Sequence, residues 1–383
     1  MRESSRCFRV LLCLAVTVAS LAAWVACCVP VLGEQLAAPD AVKQLTIIHT
    51  NDLHGHLLPT PGTGGGMAYV AGYVDQVREE VGEENVLLLD GGDTFWGHGI
   101  SNNCPQGFGY SVVDIYNRMG YDAAAIGNHE FENRSGFEKC VEWSEFPWLA
   151  ADVTVSGSQE HPDWVRPYTV VPVGDPGSEV AVGIIGISNK DYAPERGLGG
   201  LDFGDPSQAI LRYYDEVMTQ SDVLLVLAHR PPDEERGFKG LRTIAQELLA
   251  AGKPVDLMIG GHTHIRNYEV VEGTDTVIVE AYCYAECVGR LDVTVDPSAQ
   301  KLVVSSHKLT EVNDSELKAD PEIMTRVAYW ADKAQLGGEG NLTPLLILYG
   351  VVGVLILSGV GVVIVRRRAA AGKESQQADV TDD

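Results

Sequence analysis

Basic residues are scarce in this chain of 383 residues: 28 lysines and arginines face 53 aspartates and glutamates, for a formal net charge of −25. A protein that binds nucleic acid polymers along their phosphates needs a broad basic surface. The charge balance therefore argues against a nucleic acid polymer as partner. It also means that a small anionic substrate has to be attracted locally, by bound cations, rather than by the protein surface at large.

The chain also lacks a Gly-x-Ser-x-Gly motif, so the usual setting of an activated serine nucleophile is absent. Cysteine is sparse, and only Cys104, Cys140, Cys283 and Cys287 lie between the two hydrophobic ends. In an oxidising compartment these four can form two disulfides, for which we favour Cys104 with Cys140 and Cys283 with Cys287; the alternative is buried free thiols. The Cys-x-x-x-Cys spacing at 283 has no neighbouring histidine, which argues against a zinc site there.

What the chain does contain is a series of five short polar clusters, each following an apolar run that predicts a buried strand. The runs are 45–48, 86–89, 123–126, 223–227 and 255–259. The clusters that follow them lie within 49–56, 90–93, 127–130, 228–229 and 260–264. Helical periodicity over 67–81, 111–119, 206–218 and 241–251 completes a repeated β-α pattern. Because ligands of open α/β sheets lie at the carboxyl ends of the strands, we expect the five clusters to converge on one point.

The clusters offer a set of side chains that suits metal ions. The candidate ligands are Asp52, His54, Asp93, Asn128, His229, His262 and His264. One tetrahedral zinc ion cannot use them all. Two divalent ions that share a bridging carboxylate, roughly 3.5–4 Å apart, can. The mixture of imidazole, carboxylate and amide oxygen suits zinc, manganese, iron or cobalt without choosing among them. Such ions acidify water near neutral pH, which removes the need for a serine or cysteine nucleophile.

Several neighbouring residues have two interpretations. Four of them either support the ligands or form caps and turns: His49, Asn51, Asp90 and Glu130. His56 and His98 either face the mouth of the site or have no part in it. Arg230 either grips a phosphate with both guanidinium nitrogens or is a solvated loop residue, and we slightly favour the latter.

The order of these clusters resembles a known family. The series Asp52-x-His54, Gly92-Asp93, Gly127-Asn128-His129-Glu130, His229 and Gly261-His262-x-His264 closely resembles that of the calcineurin-like metallophosphoesterases. The openings His-Thr-Asn-Asp at 49 and Gly-Asn-His-Glu-Phe at 127 are similar to those of its 5′-nucleotidase branch, and the resemblance spans about residues 45–310.

The resemblance implies a role for each candidate ligand. One metal would be bound by Asp52, His54 and His264, the other by Asn128, His229 and His262, and Asp93 would bridge them. His129 would lie beside the substrate phosphate, with Asn128 nearby. Glu132 stands where the branch usually has Asp, and by resemblance it would orient His129.

The resemblance further implies a four-layer αββα sandwich over residues 40–312. The activity it implies is hydrolysis of phosphate monoesters, with nucleotides or similar small phosphate esters as substrates. Related two-metal domains act on cyclic nucleotides, nucleotide sugars or sulfur esters, so these chemistries remain alternatives. A surface binding module that keeps its metals without catalysis is an alternative of another class.

Recognition of a nucleobase is a separate question, because the 5′-nucleotidases that the chain resembles carry it on a second domain. We expect no room for such a domain between the predicted strands 291–295 and 302–306 and residue 345. Five loop aromatics would then be candidates for a stacking surface, or else pack locally: Phe95, Trp96, Phe108, Tyr192 and Phe203.

The two ends of the chain predict export and anchoring. Residues 1–38 resemble a signal peptide or an uncleaved signal anchor. Residues 345–365 carry no charge and as a helix would extend about 31 Å, enough to cross a bilayer. Three arginines follow at 366–368, which places the tail 366–383 in the cytoplasm and the catalytic domain outside. The charged stretch 313–344 is predicted as a stalk or a short capping helix.

Overall fold

The computed structural model describes residues 42–60 and 64–334. In chain order, its strands are β1 (Lys43–Thr50), β2 (Val86–Asp90), β3 (Ala123–Ala125), β4 (Trp148–Leu149), β5 (Val153–Val155), β6 (Tyr168–Val173), β7 (Val180–Ile187), β8 (Leu201–Phe203), β9 (Val223–Ala228), β10 (Leu257–Ile259), β11 (Arg266–Val270), β12 (Val277–Ala281), β13 (Cys287–Asp296) and β14 (Lys301–Glu311). The α-helices are α1 (Met67–Val81), α2 (Gly99–Asn102), α3 (Tyr110–Met119), α4 (Arg134–Trp143), α5 (Glu195–Leu198), α6 (Pro206–Met218), α7 (Leu241–Ala250) and α8 (Pro321–Lys333). Two 3₁₀ turns span Glu83–Asn85 and His129–Asn133.

Two six-stranded mixed sheets form the centre of the molecule. Sheet I has the order β14-β13-β1-β2-β3-β4, in which β1 to β4 are parallel and β13 and β14 are antiparallel additions. Sheet II has the order β11-β12-β10-β9-β7-β6, in which the four central strands are parallel and both outer strands antiparallel. A small antiparallel pair joins β5 and β8. Parallel strands need crossovers, which the helices between them provide.

Three hydrophobic clusters give the four layers. The cluster between the sheets contains Ile47, Leu89, Leu225 and Ile259 among others. A second cluster packs α1, α3 and α8 against the outer face of sheet I, and a third packs α6 and α7 against the outer face of sheet II. The predicted αββα sandwich is therefore confirmed.

The helices begin and pack where the sequence favours it. In α6 the Asp205 carboxylate accepts a hydrogen bond from the Gln208 amide at 3.0 Å, and a proline occupies the first turn. In α1 the residues Met67, Val70 and Val74 share one face at helical spacing and are buried against sheet I. The predicted helices 67–81 and 206–218 coincide with α1 and α6, whereas β10 begins at Leu257 rather than at Val255 as predicted.

Helix α8 lies within the stretch predicted as a stalk or capping helix. Its residues Ile323, Val327 and Trp330 are buried, and the helix packs on α1 and α3. The Trp330 indole also donates a hydrogen bond to Asp114 Oδ2 at 2.7 Å. This part of the segment is thus a packed layer of the domain and not a free stalk.

The chain ends remain predictions. The proposed signal 1–38, the apolar segment 345–365 and the tail 366–383 lie outside the described residues. Within 42–60 and 64–334, no helix combines the length and the apolar character that crossing a bilayer requires.

His49 is a polar side chain that lies in the core without a hydrogen-bond partner. His49 of β1 is fully buried, neither ring nitrogen has a hydrogen-bond partner, and its ring packs directly over Gly289, where a Cβ would overlap it. Burial and the neighbouring His307 lower the pKa of His49 to about 3. Neither interpretation of His49, support of the ligands or a cap or turn, is therefore correct, because this histidine is a buried residue of the core.

His49 should make the fold sensitive to acid. Between pH 6.5 and 3 the unfolded chain binds a proton at His49 and the folded chain does not, so stability falls as the pH falls through this window. We expect His49→Leu to reduce the loss of unfolding free energy between pH 7 and pH 4 by about 3 kcal/mol. Urea unfolding of the metal-free chain at both pH values measures this, and equal losses in variant and wild type would contradict it.

Candidate metal centre

The loops after β1 and β2 are locked together at the edge of sheet I. The Asp52 amide donates to Gly92 O and the His54 amide to Asp93 O, each at 2.9 Å. Five of the candidate ligands have left-handed backbone conformations, with φ between 49° and 83°: Asp52, His54, Asp93, His262 and His264. Non-glycine residues adopt this conformation at a cost of order 1–3 kcal/mol each, and such strain concentrates at functional sites. The sandwich thus holds these loops in shapes that aim the ligand side chains.

Glycines allow the loops of the two sheets to meet. A Cβ at Gly91 would lie 2.6 Å from Gly260 O, which belongs to the loop after β10 in sheet II. A Cβ at Gly127 would overlap the Asp93 carboxylate. The absence of a side chain at these two positions permits a close backbone approach, which brings donors from both sheets to one point.

The first group of donors contains Asp52, His54 and His264. His264 Nε2 lies 3.4 Å from Asp52 Oδ1 and 3.1 Å from His54 Nε2. His54 Nδ1 lies 2.8 Å from Trp96 O, so this nitrogen carries the proton and donates it to the carbonyl. The lone pair of His54 Nε2 then points toward the other two donors. Histidine ligands of metal ions are usually oriented in this way.

The second group contains Asp93, His229 and His262, with Asn128 beside it. His229 Nε2 lies 2.9 Å from Asp93 Oδ2, and His262 Nδ1 lies 2.9 Å from Asn128 Oδ1. His229 Nδ1 donates to Gly91 O at 2.8 Å, which repeats the arrangement of His54. Asp93 Oδ2 also lies 3.9 Å from His54 Nε2, so this carboxylate stands between the two groups.

The buried carboxylates of the site favour positive charge nearby. Burial opposes ionisation of Asp52 and Asp93, but the neighbouring histidines hold the pKa of both carboxyls below the usual range. Burial would lower the pKa of His229 and His264, yet the adjacent carboxylates raise the pKa of each to about 10. The buried carboxylates therefore favour positive charge beside them.

The donor set fits two divalent ions. The ligand atoms within each triad, Asp52/His54/His264 and Asp93/His229/His262, lie within 4.8 Å of one another. Each triad mixes imidazole with carboxylate, a combination that zinc, manganese, iron and cobalt accept. All seven predicted ligands are therefore brought together.

Three of the neighbouring residues do support the loops. Asn51 Nδ2 donates to Asp52 Oδ2 at 2.6 Å, while its Oδ1 accepts from the Ala281 amide. Glu130 accepts from the amides of Asp93, Thr94 and Gly127. Asp90 accepts from four donors, Thr50, Gly92, Thr94 and Tyr116. Burial raises the pKa of Asp90 to about 6 and, with Asp93, that of Glu130 to about 8.

The donors open into a cavity of about 520 Å³. Its lining residues are His54, His56, Asp93, Trp96, Gly97, Asn128, His129, Tyr192, Glu235, His262, Thr263, His264 and Tyr284. The His129 amide donates to Asp93 Oδ1 at 2.8 Å, and its ring lies 4.8 Å from that of His54. His56 faces the cavity, whereas His98 contacts the His56 ring and caps α2.

The predicted pair of Glu132 with His129 is wrong for this structure. Glu132 Oε2 lies 3.4 Å from an Arg196 nitrogen, and His129 Nδ1 is buried without a hydrogen-bond partner. The longer glutamate side chain reaches the arginine of α5 on the outer side of the 3₁₀ turn, so it does not orient the histidine.

Both interpretations of Arg230 are wrong. Its side chain is buried, Nε donates to Ser188 O at 2.8 Å, and a terminal nitrogen lies 3.4 Å from Asp152 Oδ2. Arg230 is absent from the cavity lining. Its guanidinium lies beside a buried carboxylate instead of facing the cavity.

The favoured disulfides are also wrong. Cys104, Cys140, Cys283 and Cys287 are all free and buried. Cys140 Sγ donates to Phe108 O at 3.1 Å, and burial raises the pKa of its thiol. These cysteines are core residues, as the alternative held.

Only two of the five candidate stacking aromatics reach the cavity. Trp96 and Tyr192 line it. Phe95 is buried in the helix-side core of sheet I, Phe108 packs against it and against Trp96, and Phe203 packs edge-on against another phenylalanine.

Sequence reasoning missed several residues of the site, among them Asp191 and Tyr284. Asp191 is buried, and its unpartnered Oδ2 lies 3.9 Å from His262 Nε2. It ends a polar run after β7, a strand that we did not predict, so the strand-end rule could have found it. Tyr284, whose ring lies 5.3 Å from that of His264, sits in a loop with no such signal.

Comparison with known proteins decides the family. The family model described as calcineurin-like phosphoesterase matches residues 45–266, which is more than half of the chain. The chain belongs to the calcineurin-like phosphoesterase family.

Two 5′-nucleotidases and one solved structure are similar to this chain. The human 5′-nucleotidase is 30% identical over 336 residues, which cover 79% of this chain and 55% of the human protein. The bovine 5′-nucleotidase is 31% identical over 324 residues, covering 76% and 53%. This calcineurin-like phosphoesterase thus spans about half the length of the curated relatives it matches. The 5′-nucleotidase precursor of Thermus thermophilus shares the fold, with a TM-score of 0.63, 24% identity and coverage of 76% of this chain and 59% of that one.

Removing the charge of Asp93 should weaken metal binding. We expect Asp93→Asn to lower affinity for at least one ion by about 100-fold, because the carboxylate faces both donor groups. Elemental analysis after dialysis against a metal buffer measures this, with Asp163→Asn, an exposed carboxylate outside the cavity, as the control. An Asp93→Asn chain that retained the wild-type metal content would contradict the bridging role.

Proposed function

We propose that this protein hydrolyses phosphate monoesters, with nucleotides or similar small phosphate esters as substrates, by means of two divalent metal ions. The observation that carries the proposal is the clustering of seven donor side chains beside one cavity, which five of them and His129 line. Its family membership and its 5′-nucleotidase relatives support the substrate class.

The residues of the site have different roles in the proposed reaction. Asp52, His54 and His264 would hold one ion, and Asn128, His229 and His262 the other, with Asp93 between them. When bound, such ions neutralise charge on the phosphoryl oxygens and make water nucleophilic at neutral pH. The Asp93 amide and side chain are fixed by Glu130 and by the His129 amide, which keeps the carboxylate between the groups.

We assign His129 a catalytic role, although one of its ring nitrogens also lies within 4.8 Å of ligand atoms of His54 and Asp93. Its ring lines the cavity beside His54 and Asp93, and its Nδ1 has no protein partner. A proton on the cavity-facing imidazole can neutralise the phosphate or be passed to the leaving oxygen. A metal module without catalysis would have no use for this histidine.

We further propose that the catalytic domain is exported and anchored. The basic flank at 366–368 after the uncharged segment 345–365 supports this orientation. The surface, rich in acidic residues, is compatible with a substrate drawn in by the metals alone.

A substrate panel tests the proposed reaction. We expect the full chain, loaded with manganese, zinc or cobalt, to release phosphate from nucleoside monophosphates. His129→Ala should lower kcat by about 100- to 10,000-fold. His307→Ala, a half-buried histidine on β14 outside the cavity, is the matched control.

Other results of the panel have distinct meanings. Activity confined to cyclic nucleotides, nucleotide sugars or sulfur esters would show that the proposed substrate class is wrong. The proposed metal site would still stand. No hydrolysis of any ester with any of the three metals would favour a binding module. A His129→Ala variant with wild-type kcat would refute the role of this histidine.

Deleting residues 345–383 tests the anchor. We expect the shortened chain to appear in the medium or periplasm instead of the membrane fraction, because the uncharged segment is the predicted span. Fractionation and immunoblotting measure this. Membrane retention of the shortened chain would show that the anchor lies elsewhere, for example in residues 1–38.

A further inference from the structure

The cavity offers aromatic rings where a substrate would extend away from the metals. Among the residues described, its lining includes Trp96, Tyr192 and Tyr284 but no lysine or arginine. The one carboxylate besides Asp93 is that of Glu235. Away from the donor groups, the cavity therefore suits a planar neutral group better than further negative charge.

Tyr192 is the most exposed tyrosine in the part of the chain that the structure describes. It is 58% exposed, against 45% for Tyr268 and 39% for Tyr329. Its ring lies 6.0 Å from the ring of the candidate ligand His262. A group stacked on Tyr192 would thus be attached close to a phosphate held at the second donor group.

The ring is also held in place, although it is exposed. The Tyr192 amide and Arg236 Nε both donate to Asp191 Oδ1, each at 3.0 Å. The Arg236 guanidinium stacks on the ring, 4.1 Å from its centroid. Tyr192 and Arg236 both have left-handed backbone conformations, with φ of 61° and 51°.

These contacts have a consequence for binding. A buried carboxylate fixes both partners of the stack, so the ring loses little conformational freedom when a ligand arrives. Arg236 lies over the ring, yet 58% of Tyr192 remains exposed, so a planar group can still reach the side chain. Local packing alone does not account for a strained, exposed ring that is braced in this way.

We propose that Tyr192, braced by Arg236 and Asp191, is the specificity-determining residue that stacks on an aromatic group carried by the leaving alcohol, such as the base of the nucleoside released from a nucleoside monophosphate. The inference rests on the proposed function and adds a substrate preference to it. Monophosphate esters whose alcohol carries an aromatic ring are favoured over those whose alcohol carries none. They are also favoured over nucleoside di- and triphosphates, whose extra charge would meet the Glu235 carboxylate in a lining without lysine or arginine.

The ratio of two specificity constants tests this. With the manganese-loaded full chain, kcat/KM is measured for adenosine 5′-monophosphate and for glycerol phosphate. We expect Tyr192→Ala to lower the ratio about 10-fold, equivalent to about 1.4 kcal/mol, mainly through KM for the nucleotide. Tyr192→Phe, which keeps the ring face, should restore the ratio to within about twofold of wild type.

Two further variants test whether Arg236 positions the ring and whether the effect is specific to Tyr192. Arg236→Met should raise KM for the nucleotide about threefold with little change in kcat, because the ring loses its brace. Tyr329→Ala removes another exposed tyrosine that stacks with an arginine, Arg326 of α8, and lies outside the cavity. It should leave the ratio unchanged. The inhibition constant of adenosine should rise in Tyr192→Ala by the same factor as KM.

The outcomes separate the two proposals. A wild-type chain that hydrolyses neither substrate would count against the proposed function. A wild-type chain that is active but gives Tyr192→Ala the same ratio and the same adenosine inhibition would overturn only the stacking role. Preference for the triphosphate over the monophosphate would overturn it as well.

Discussion

Two ionised carboxylates buried next to each other are the constraint on which the site depends. Asp52 and Asp93 both lie within 4 Å of His54 Nε2 and of His229 Nε2. Charges of like sign in a buried region are tolerated only where opposite charge is supplied nearby. The histidines, the glycine-bordered loops and the left-handed turns around them all serve to bring that charge close.

Hydrogen bonds of the backbone also hold the site in place. The loops after β1 and β2 are joined by amide hydrogen bonds, and the carboxylates of Asp90, Glu130 and Asp191 accept the amides of the loops around them. Because these acceptors are buried and mostly saturated, the strained turns cannot relax toward commoner conformations without leaving donors unpaired. The rigidity of the sandwich is thus transmitted to the ligand side chains.

Much of this could be predicted from the sequence, because the information is local. Each ligand follows an apolar run within a few residues, and parallel strands bring their ends together whatever the rest of the chain does. The partners of Arg230 and Glu132 could not be predicted in this way. Asp152 and Arg196 are distant in sequence and are brought near only by the packing of the loops.

The same reason explains the other errors. His49 continues the alternation of Leu45 and Ile47 into the core, so its strand position was a better guide than its polarity. Asp191 was missed because β7 contains two glycines and was not recognised as a strand. The cysteines are spaced as if for disulfides, yet their burial decides their state.

The donors come from both sheets, and this division has a consequence for biogenesis. Asp52, His54, Asp93 and Asn128 belong to loops of sheet I, whereas His229, His262 and His264 belong to loops of sheet II. No ion can meet its full set of ligands until the chain has emerged as far as residue 264 and both sheets have docked. An ion bound by ligands of both sheets would therefore be acquired late, in the compartment where the chain completes its folding. The metal content of that compartment, together with the preference of the ligands, would decide which ion such a site takes up.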